Sequence, residues 1–426
     1  MGNLQSRREE RGNLQSRRST RCERFPSIRI SPEEKRDKKK LEWQLKDDFK
    51  KECGIVKLLL LGTGESGKST ILKQMKLIHL SSDHSAPSFT EKEKFDAKVA
   101  IYLNIVDAMV ALIEGINQLS IKGLDVLVNN DGGEERINYL ANKVLSYGSS
   151  IRYAIQRITQ VNFEAIMPNG EVKYCLEESE VHFEEIMPNE EEKYCLKEMW
   201  SSQTLQEVYA RRNELQVSDS TYHFMSSMDR IYGGEYIPTN EDILRARVKT
   251  TGVVRIEFTL QLFRKNVPLH ILDVGGQRSE REKWIKCFDN VTCVFYVISV
   301  SEYDQVLEED KTTNRMAESL NLFGKMLNHN CFLSTSFVVF FNKSDLFVEK
   351  IKAGRGIKIA FPDYEGAENS SPESLEFIIN KYLSVNTVSS YQRMVYHHTT
   401  TATDTNLIKK ISDDVLKMII NSLPLF

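Results

Sequence analysis

The chain has 426 residues, enough for two or three domains, and a formal net charge of −3. Its hydrophobic fraction of 41% and charged fraction of 27% are typical of a soluble globular protein, and the slight acidity argues against a general nucleic-acid-binding protein. The seven cysteines are odd in number and lack C-x-x-C spacing, which excludes a disulfide framework or zinc site and indicates cytosolic thiols.

Residues 1–30 form a basic arm, with eight arginines and three glutamates and without the apolar core of a secretory signal. Residues 1–6 fit the pattern for N-myristoylation of Gly2. One acyl chain anchors a protein only weakly, so we expect the basic arm to add attraction to an anionic membrane. A mitochondrial presequence is the alternative, against which Glu9 and Glu10 count. Residues 2–8 recur as 12–18, and palmitoylation of Cys22 stays open.

A solvated helix is predicted over residues 31–52. Ser31 can cap it, Pro32 suits its first position, and Glu34 can complete a capping box. Of the 22 residues, 15 are charged, and one narrow apolar stripe runs along the helix. The stripe consists of Leu41, Leu45 and Phe49.

The stretch 62–70 (GTGESGKST) fits the phosphate-binding loop G-x-x-x-x-G-K-[ST]. It follows the apolar run 55–61 and precedes a helix-like stretch at 71–80, which is the context that the motif requires. Glycines let several backbone N–H groups face one anion, and the helix N-terminus adds partial positive charge. Lys68 is expected to reach the β- and γ-phosphates, and the Ser69 hydroxyl to bind Mg²⁺.

Some 180 residues separate Lys68 from residue 247, far more than one strand-to-helix connection needs. Apolar residues keep helical spacing at 95–116 and again near 137–144, 151–161 and 205–215. This pattern predicts an inserted all-helical domain. The longest strongly apolar run, 291–300, is about half of what a membrane-spanning helix needs.

A tandem repeat of 20 residues lies inside the insertion, where 161–180 and 181–200 share 13 identities. Prolines and asparagines are expected to break it into short helices or loops. The simpler interpretation is a duplication that bulges from the helical domain without function. The alternative is a partner-docking surface or a lid that alters nucleotide release.

Three further motifs follow strand-like segments in order. Asp273, at the end of one strand, can hold Mg²⁺ through water, and a glycine just beyond it can offer its N–H to a γ-phosphate. Asp345 in Asn342-Lys343-Ser344-Asp345 can accept both the ring N1–H and the exocyclic amine of guanine, a donor pair that adenine lacks. A backbone N–H in Thr400-Thr401-Ala402-Thr403 could meet guanine O6. Together the motifs indicate a guanine nucleotide.

With these motifs the chain resembles the α subunits of heterotrimeric G proteins over nearly its whole length, from Gly2 to the C-terminus. The residues specific to that family are Glu65-Ser66 in the phosphate loop, the string 273–278 (DVGGQR) and the string 244–252 (LRARVKTTG). The resemblance implies an α/β fold, a P-loop Ras-like GTPase domain with a mostly parallel sheet and helices on both faces. It places that domain at 53–82 and 241–426 and the helical domain at 83–240.

The resemblance also implies a nucleotide-binding residue set, in which Arg247 and Gln277 are catalytic, Ser69 and Thr250 bind Mg²⁺, and Asp219 and Ser220 face the nucleotide across the cleft. The full set is Glu65, Ser66, Gly67, Lys68, Ser69, Thr70, Asp219, Ser220, Leu244, Arg245, Ala246, Arg247, Val248, Lys249, Thr250, Asp273, Val274, Gly275, Gly276, Gln277, Asn342, Lys343, Ser344, Asp345 and Ala402.

The implied activity is slow, Mg²⁺-dependent GTP hydrolysis. Charge spreads over the γ-phosphoryl oxygens during transfer, so Arg247 would stabilise it and Gln277 would orient the attacking water. An arginine within the same chain gives about 10⁻² s⁻¹ against roughly 10⁻⁴ s⁻¹ without one, figures that come from this family and its small relatives. Such a rate suits a timer.

The implied partners are a G-protein βγ dimer, a G-protein-coupled receptor and a downstream effector, at the cytoplasmic face of the plasma membrane. Helix 31–52 would dock to βγ, and residues 279–288 would form the switch helix that βγ and effectors read. The apolar pattern over 404–426 predicts the helix that links the guanine loop to a receptor, although its tail is short and carries Pro424. Thr401 stands where many relatives have cysteine.

Two rival functions remain. A pseudo-GTPase scaffold is compatible with the duplicated insert and the altered tail, but Lys68, Ser69, Arg247, Thr250 and Gln277 are all intact. A P-loop nucleotide kinase would need a phosphate-acceptor site and a mobile arginine-rich lid, and it would not need the guanine motif at Asn342. GTP preference over ATP distinguishes these classes.

Overall fold

The computed structural model describes residues 55–80, 88–119, 138–152, 187–262, 265–388 and 393–421. The predictions for Gly2, Cys22, the basic arm, helix 31–52, the first copy of the repeat and the tail after residue 421 therefore lie outside the described residues. Everything below concerns the described part of the chain.

A six-stranded sheet organises the structure, in the spatial order β2-β3-β1-β4-β5-β6. Strand β2 is antiparallel to β3, and all other neighbours are parallel. The strands are β1 Val56–Leu61, β2 Val253–Leu262, β3 Lys265–Val274, β4 Cys293–Ser299, β5 Ser336–Asn342 and β6 Val395–Thr399. The mostly parallel sheet predicted for this fold class is confirmed.

The central strands are apolar along their whole length because both of their faces are covered. Every residue of β4 is buried, as are five of the six in β1. Leu58 and Leu60 of β1 face one apolar cluster, whereas Leu59 and Leu61 face another. Continuous apolar runs of this kind are typical of parallel strands enclosed between helices.

Helices cover both faces of the sheet and build the insertion between β1 and β2. The α-helices are α1 Lys68–Leu80, α2 Glu91–Gln118, α3 Glu190–Ser201, α4 Gln203–Ala210, α5 Thr221–Met225, α6 Met228–Ile231, α7 Asn240–Arg245, α8 Arg315–Leu327, α9 Ser344–Lys352, α10 Ser371–Leu383 and α11 Thr405–Asn421. Residues 138–152 are also helical. The 3₁₀ helices are Arg212–Glu214, Arg278–Cys287, Val300–Glu302, Asn330–Phe332 and Ile357–Ile359.

Each side of the sheet has its own apolar core. Helices α1 and α11 pack on the face formed by Leu58 and Leu60, through residues such as Met75 and Leu416. Helices α8, α9 and α10 pack on the opposite face, where Phe323 and Tyr382 are fully buried. The arrangement places the carboxyl ends of the parallel strands at one edge of the domain, where ligands bind in open α/β sheets.

The insertion is a helical domain with a separate core built around α2. Tyr102, Ile105, Val106 and Met109 of this 28-residue helix are fully buried. Helix α2 is long and apolar enough to cross a bilayer, but 67% of its most apolar window is buried inside the protein. Both observations describe a core helix. The predicted all-helical insertion is confirmed.

The second repeat copy does not bulge from this domain at its carboxyl end. Asn189 caps α3 with a capping box, and Cys195, Leu196 and Met199 are buried in the helical core. The expected bulge is therefore wrong for residues 190–200, and the absence of a function stays a prediction. Met199 stands where the first copy has Ser179, so the second copy supplies the apolar side chain that this core needs.

The segment predicted as the switch helix forms a ten-residue 3₁₀ helix, Arg278–Cys287. Runs longer than three or four residues are uncommon in this tighter geometry and often mark a hinge. Trp284 is buried and its Nε1 donates to the Gly275 carbonyl at 2.7 Å. Ile285, by contrast, is 55% exposed. The segment is thus held by Trp284 and by the ion pairs of Arg278 and Arg281 with Glu318, and it presents an apolar side chain outward.

Candidate active site

A cavity of about 500 Å³ lies where β1, β3 and β5 end, and the helical domain closes its far side. The predicted nucleotide-binding residues line it with four exceptions. The exceptions are Ser66, Val274, Gly275 and Ser344. The fold thus brings together side chains from Glu65 to Ala402 at one place.

The phosphate loop has the backbone geometry of an anion cradle. Glu65 has a φ of 64° and Gly67 a φ of 102°, so successive N–H groups turn toward one side. A left-handed conformation costs a non-glycine residue roughly 1–2 kcal/mol, a strain that is typical of functional loops. Gly67 also has no room for a side chain, since a Cβ there would collide with the Asn342 amide.

Lys68 lies under this loop and is 5% exposed. Its Nζ donates to the Gly62 carbonyl at 3.1 Å and to the Thr63 carbonyl at 2.7 Å. Burial lowers the pKa of Lys68 to about 8, against the opposing charge of Asp273. An anion placed against this amine would raise the pKa again and would be bound strongly in return.

Three oxygen-bearing side chains meet at the start of α1. Ser69 Oγ lies 2.8 Å from Thr250 Oγ1 and donates to Asp273 Oδ2 at 2.5 Å. Asp273 is 1% exposed, and its other oxygen, Oδ1, has no hydrogen-bond partner. A buried carboxylate oxygen without a donor, beside two hydroxyls, fits a hard cation such as Mg²⁺. The donor set therefore suits the ion predicted from the sequence.

Asn342, the last residue of β5, connects its own loop with the phosphate loop and the loop at 400–402. Its Nδ2 donates to the Ser66 carbonyl at 2.9 Å, and its Oδ1 accepts from the Ala402 N–H at 2.8 Å and from Thr400 Oγ1 at 3.3 Å. The Ala402 N–H, which the sequence assigns to guanine O6, is thus already bonded within the protein. The guanine contact of Ala402 stays a prediction.

Asp345 faces the cavity from the first turn of α9 and accepts from Thr401 Oγ1 at 3.3 Å. The hydroxyl of Thr401 therefore contacts the carboxylate expected to recognise guanine. Ser344 Oγ lies 3.2 Å from the same hydroxyl.

Six side chains of alternating charge run around the cavity. Asp219 pairs with Lys343 at 2.6 Å, and Lys343 lies 3.3 Å from Glu302. Arg315 lies 3.7 Å from Glu302 and 3.1 Å from Glu65. The series ends where Glu65 pairs with Arg247 at 2.5 Å. The chain of ion pairs joins the helical domain, the base loop, the phosphate loop and the segment that carries Arg247.

This arrangement shifts the pKa values of Glu65 and Lys343. Burial raises the pKa of Glu65, but Arg315 and Arg247 outweigh burial and the net shift is downward. Burial lowers the pKa of Lys343, and the carboxylates of Asp219 and Glu302 outweigh it, so the net shift is upward. Both groups are thus held in their charged forms at neutral pH.

Comparisons with known proteins identify the family. The family model described as G-protein alpha subunit matches residues 35–419. The guanine nucleotide-binding protein alpha-3 subunit of Caenorhabditis elegans is 37% identical over 368 residues, covering 86% of this chain and 89% of the relative. The chain belongs to the G-protein α-subunit family. The G(o) subunits alpha of Locusta migratoria and Lymnaea stagnalis are each 38% identical over 382 residues, covering 90% of this chain and 93% of each relative.

Members of this family bind GTP and GDP with Mg²⁺ and hydrolyse GTP, and they act with βγ dimers, receptors and effectors. The recognition from sequence is therefore confirmed, together with the Ras-like fold and the GTPase activity. Membership of this family overturns the rival assignment as a nucleotide kinase. Proteins of the family are typically membrane-associated.

The structure also places residues at the α-subunit site that the sequence motifs did not indicate. Lys73 of α1 donates to the carbonyls of Ile243 and Ala246, each at 2.9 Å, and burial lowers its pKa to about 8. Gln74 Nε2 donates to the Ala402 carbonyl at 3.0 Å. Both lie in α1 a few residues after the phosphate-loop motif, and their contacts form only in the fold, so no sequence motif marks them.

Proposed function

We propose that this α subunit is a membrane-attached switch that hydrolyses GTP slowly with its own arginine. One observation carries the proposal. Ser69 Oγ lies 2.8 Å from Thr250 Oγ1 and 2.5 Å from Asp273 Oδ2, and Lys68 is buried beside this group. This geometry supports binding of the β- and γ-phosphates and one hard cation. When bound, Mg²⁺ would neutralise charge on the phosphate oxygens.

The residues that line the cavity would have distinct roles in binding and hydrolysis. Lys68 would bind the phosphates, Ser69 and Thr250 would hold Mg²⁺ directly, and Asp273 would do so through water. Asp345 would accept the two guanine donors. Arg247, with a planar and permanently charged guanidinium, would stabilise charge on the transferred phosphoryl group.

Arg247 pairs with Glu65 in this structure, so its guanidinium would exchange that partner for the γ-phosphoryl oxygens. Gln277 lies beside the phosphate loop, where a Cβ on Gly64 would be 3.3 Å from Gln277 Cγ. It would orient the attacking water from this position.

The cellular part of the proposal rests on family membership and on the sequence. Myristoylation at Gly2 and the basic arm would hold the protein at the cytoplasmic face of the plasma membrane. A βγ dimer would bind the segment Arg278–Cys287 in the GDP state, where exposed Ile285 offers an apolar contact. A receptor would act on α11, and an effector would bind the GTP state.

Single-turnover hydrolysis of bound GTP, started by adding Mg²⁺, tests the proposal. Wild type should hydrolyse at about 10⁻² s⁻¹, and Arg247→Cys should be slower by about 10²-fold while still binding GTP. Arg211→Cys is the matched control, because Arg211 pairs with Glu214 on the surface of the helical domain. Tight GTP binding without turnover in wild type would instead support the scaffold function.

A further inference from the structure

The backbone around Arg247 has no regular structure of its own. Helix α7 ends at Arg245 and β2 starts at Val253, so residues 247–251 lie outside helix and sheet. Buried or half-buried backbone groups need hydrogen-bond partners, and here side chains supply them. The identity of those side chains decides how firmly the arginine is held.

Five consecutive carbonyl oxygens, from Ile243 to Arg247, accept hydrogen bonds from side chains. The Ile243 and Ala246 carbonyls accept from Lys73 Nζ. The Leu244 carbonyl accepts from Thr70 Oγ1 at 3.5 Å. The Arg245 carbonyl accepts from Ser220 Oγ at 2.8 Å. The last, on Arg247, accepts from Asn104 Nδ2 at 2.9 Å.

Asn104 binds Arg247 twice. Besides its bond to the carbonyl, its Oδ1 accepts the Arg247 N–H at 2.7 Å. The two bonds fix the orientation of the amide, since the donor faces an oxygen and the acceptor faces an N–H. The Asn104 amide thereby satisfies both the N–H and the C=O of Arg247, as a neighbouring β-strand would.

Asn104 is also mounted rigidly. It lies within α2, between residues 102, 105 and 106, whose side chains are fully buried in the helical core. Asparagine is a poor residue for a helix interior, because its amide competes for backbone groups. Its presence here has no packing advantage, since the side chain is only partly buried and reaches out of its own domain.

We propose that Asn104 is a positioning residue for hydrolysis, which fixes the backbone of Arg247 from the helical domain. This inference rests on the proposed role of Arg247 as the catalytic arginine. A fixed Cα limits where the guanidinium can reach once it leaves Glu65. Since a displacement of about 1 Å can cost about 10²-fold in rate, loss of two backbone bonds should slow hydrolysis.

The test is single-turnover hydrolysis by the full chain carrying Asn104→Ala. Alanine is a better helix former than asparagine, so α2 should remain folded, which thermal unfolding followed by circular dichroism verifies. The hydrolysis rate should fall by about five- to tenfold with GTP affinity unchanged. Asn117→Ala is the matched control, because Asn117 is exposed in the last turn of the same helix, about 20 Å away along its axis.

The double variant Asn104→Ala with Arg247→Cys separates positioning from simple domain adhesion. If Asn104 acts through Arg247, the double variant should hydrolyse GTP as slowly as Arg247→Cys alone. A further slowing in the Arg247→Cys background by the same factor would overturn the inference, as would wild-type hydrolysis by Asn104→Ala. Unchanged hydrolysis by Arg247→Cys alone would overturn the proposed function and this inference with it.

Discussion

The carboxylate of Asp219 lies 2.6 Å from Lys343 Nζ, across the cleft between the helical domain and the base loop. Lys343 is held in the left-handed region, with a φ of 61°, directly after β5. Its ammonium also lies 3.3 Å from Glu302. The pair therefore connects the helical domain to the guanine motif, in which Lys343 directly follows Asn342.

Replacing Asp219 with asparagine should make opening of the cleft easier. The Asp219 side chain is 38% exposed, so the pair contributes only about 0.5–1 kcal/mol, and GDP release should accelerate about two- to fivefold. Release of a fluorescent GDP analogue into excess GTP measures the rate. Asp229→Asn is the control, because Asp229 pairs with Lys197 inside the helical domain. Equal rates of GDP release from the wild type and Asp219→Asn would show that this ion pair does not hold the cleft closed.

Gln277→Leu should separate nucleotide binding from hydrolysis. Leucine keeps the bulk against Gly64 but removes the amide that would orient water, so single-turnover hydrolysis should fall by about 10²-fold. Binding of a fluorescent GTP analogue should be unchanged. Gln118→Leu, exposed at the end of α2, serves as the control. An unchanged rate in Gln277→Leu would remove Gln277 from the mechanism.

Asp345→Asn should change the base that the α subunit prefers. Asparagine has only one acceptor and brings an NH₂ donor, which suits the carbonyl that xanthine carries in place of the guanine amine. GTP affinity should drop by about 10²-fold, and xanthosine triphosphate should become the better competitor. Competition against a fluorescent GTP analogue measures both, with Asp363→Asn, a surface partner of Lys381, as the control. Wild type should prefer GTP to ATP.

The parts of the site that were predictable from sequence are those in which one short window contains the whole chemistry. Lys68 and Ser69 directly follow the glycines of their loop, Asp273 lies at the end of β3, and Asp345 lies three residues after β5. Parallel strands then carry these windows to the same edge of the sheet, so recognising each motif was enough to predict their meeting.

Residues whose role depends on tertiary contact had no such signal. Asn104 lies 143 positions from Arg247 in the chain and sits among ordinary helical residues. Arg315 is 7% exposed, although its sequence neighbours do not distinguish it from a surface arginine. The prolines and asparagines of the repeat predicted short helices or loops. In the second copy, residues 190–201 form one helix of 12 residues, because Cys195 and Met199 are buried in the helical core.

The last prediction concerns His79, at the contact between α1 and α11. Its Nε2 lies 3.1 Å from Ser412 Oγ, and its ring stacks on Phe258 with centroids 5.5 Å apart. Burial lowers the pKa of His79 below its ordinary 6.5; Asp413 opposes this shift and Lys409 adds to it. The unfolded chain therefore takes up a proton at a higher pH than the folded protein does.

It follows that the stability contributed by neutral His79 is fully present above pH 6.5 and is lost as the pH falls through the lower folded pKa. Thermal unfolding should shift down between about pH 7 and pH 5.5 in wild type, and the shift should be smaller in His79→Gln, which keeps a hydrogen-bonding group but does not titrate. His397→Gln, at an exposed position in β6, is the control. The same pH dependence of thermal unfolding in wild type and His79→Gln would show that protonation of His79 does not determine the loss of stability.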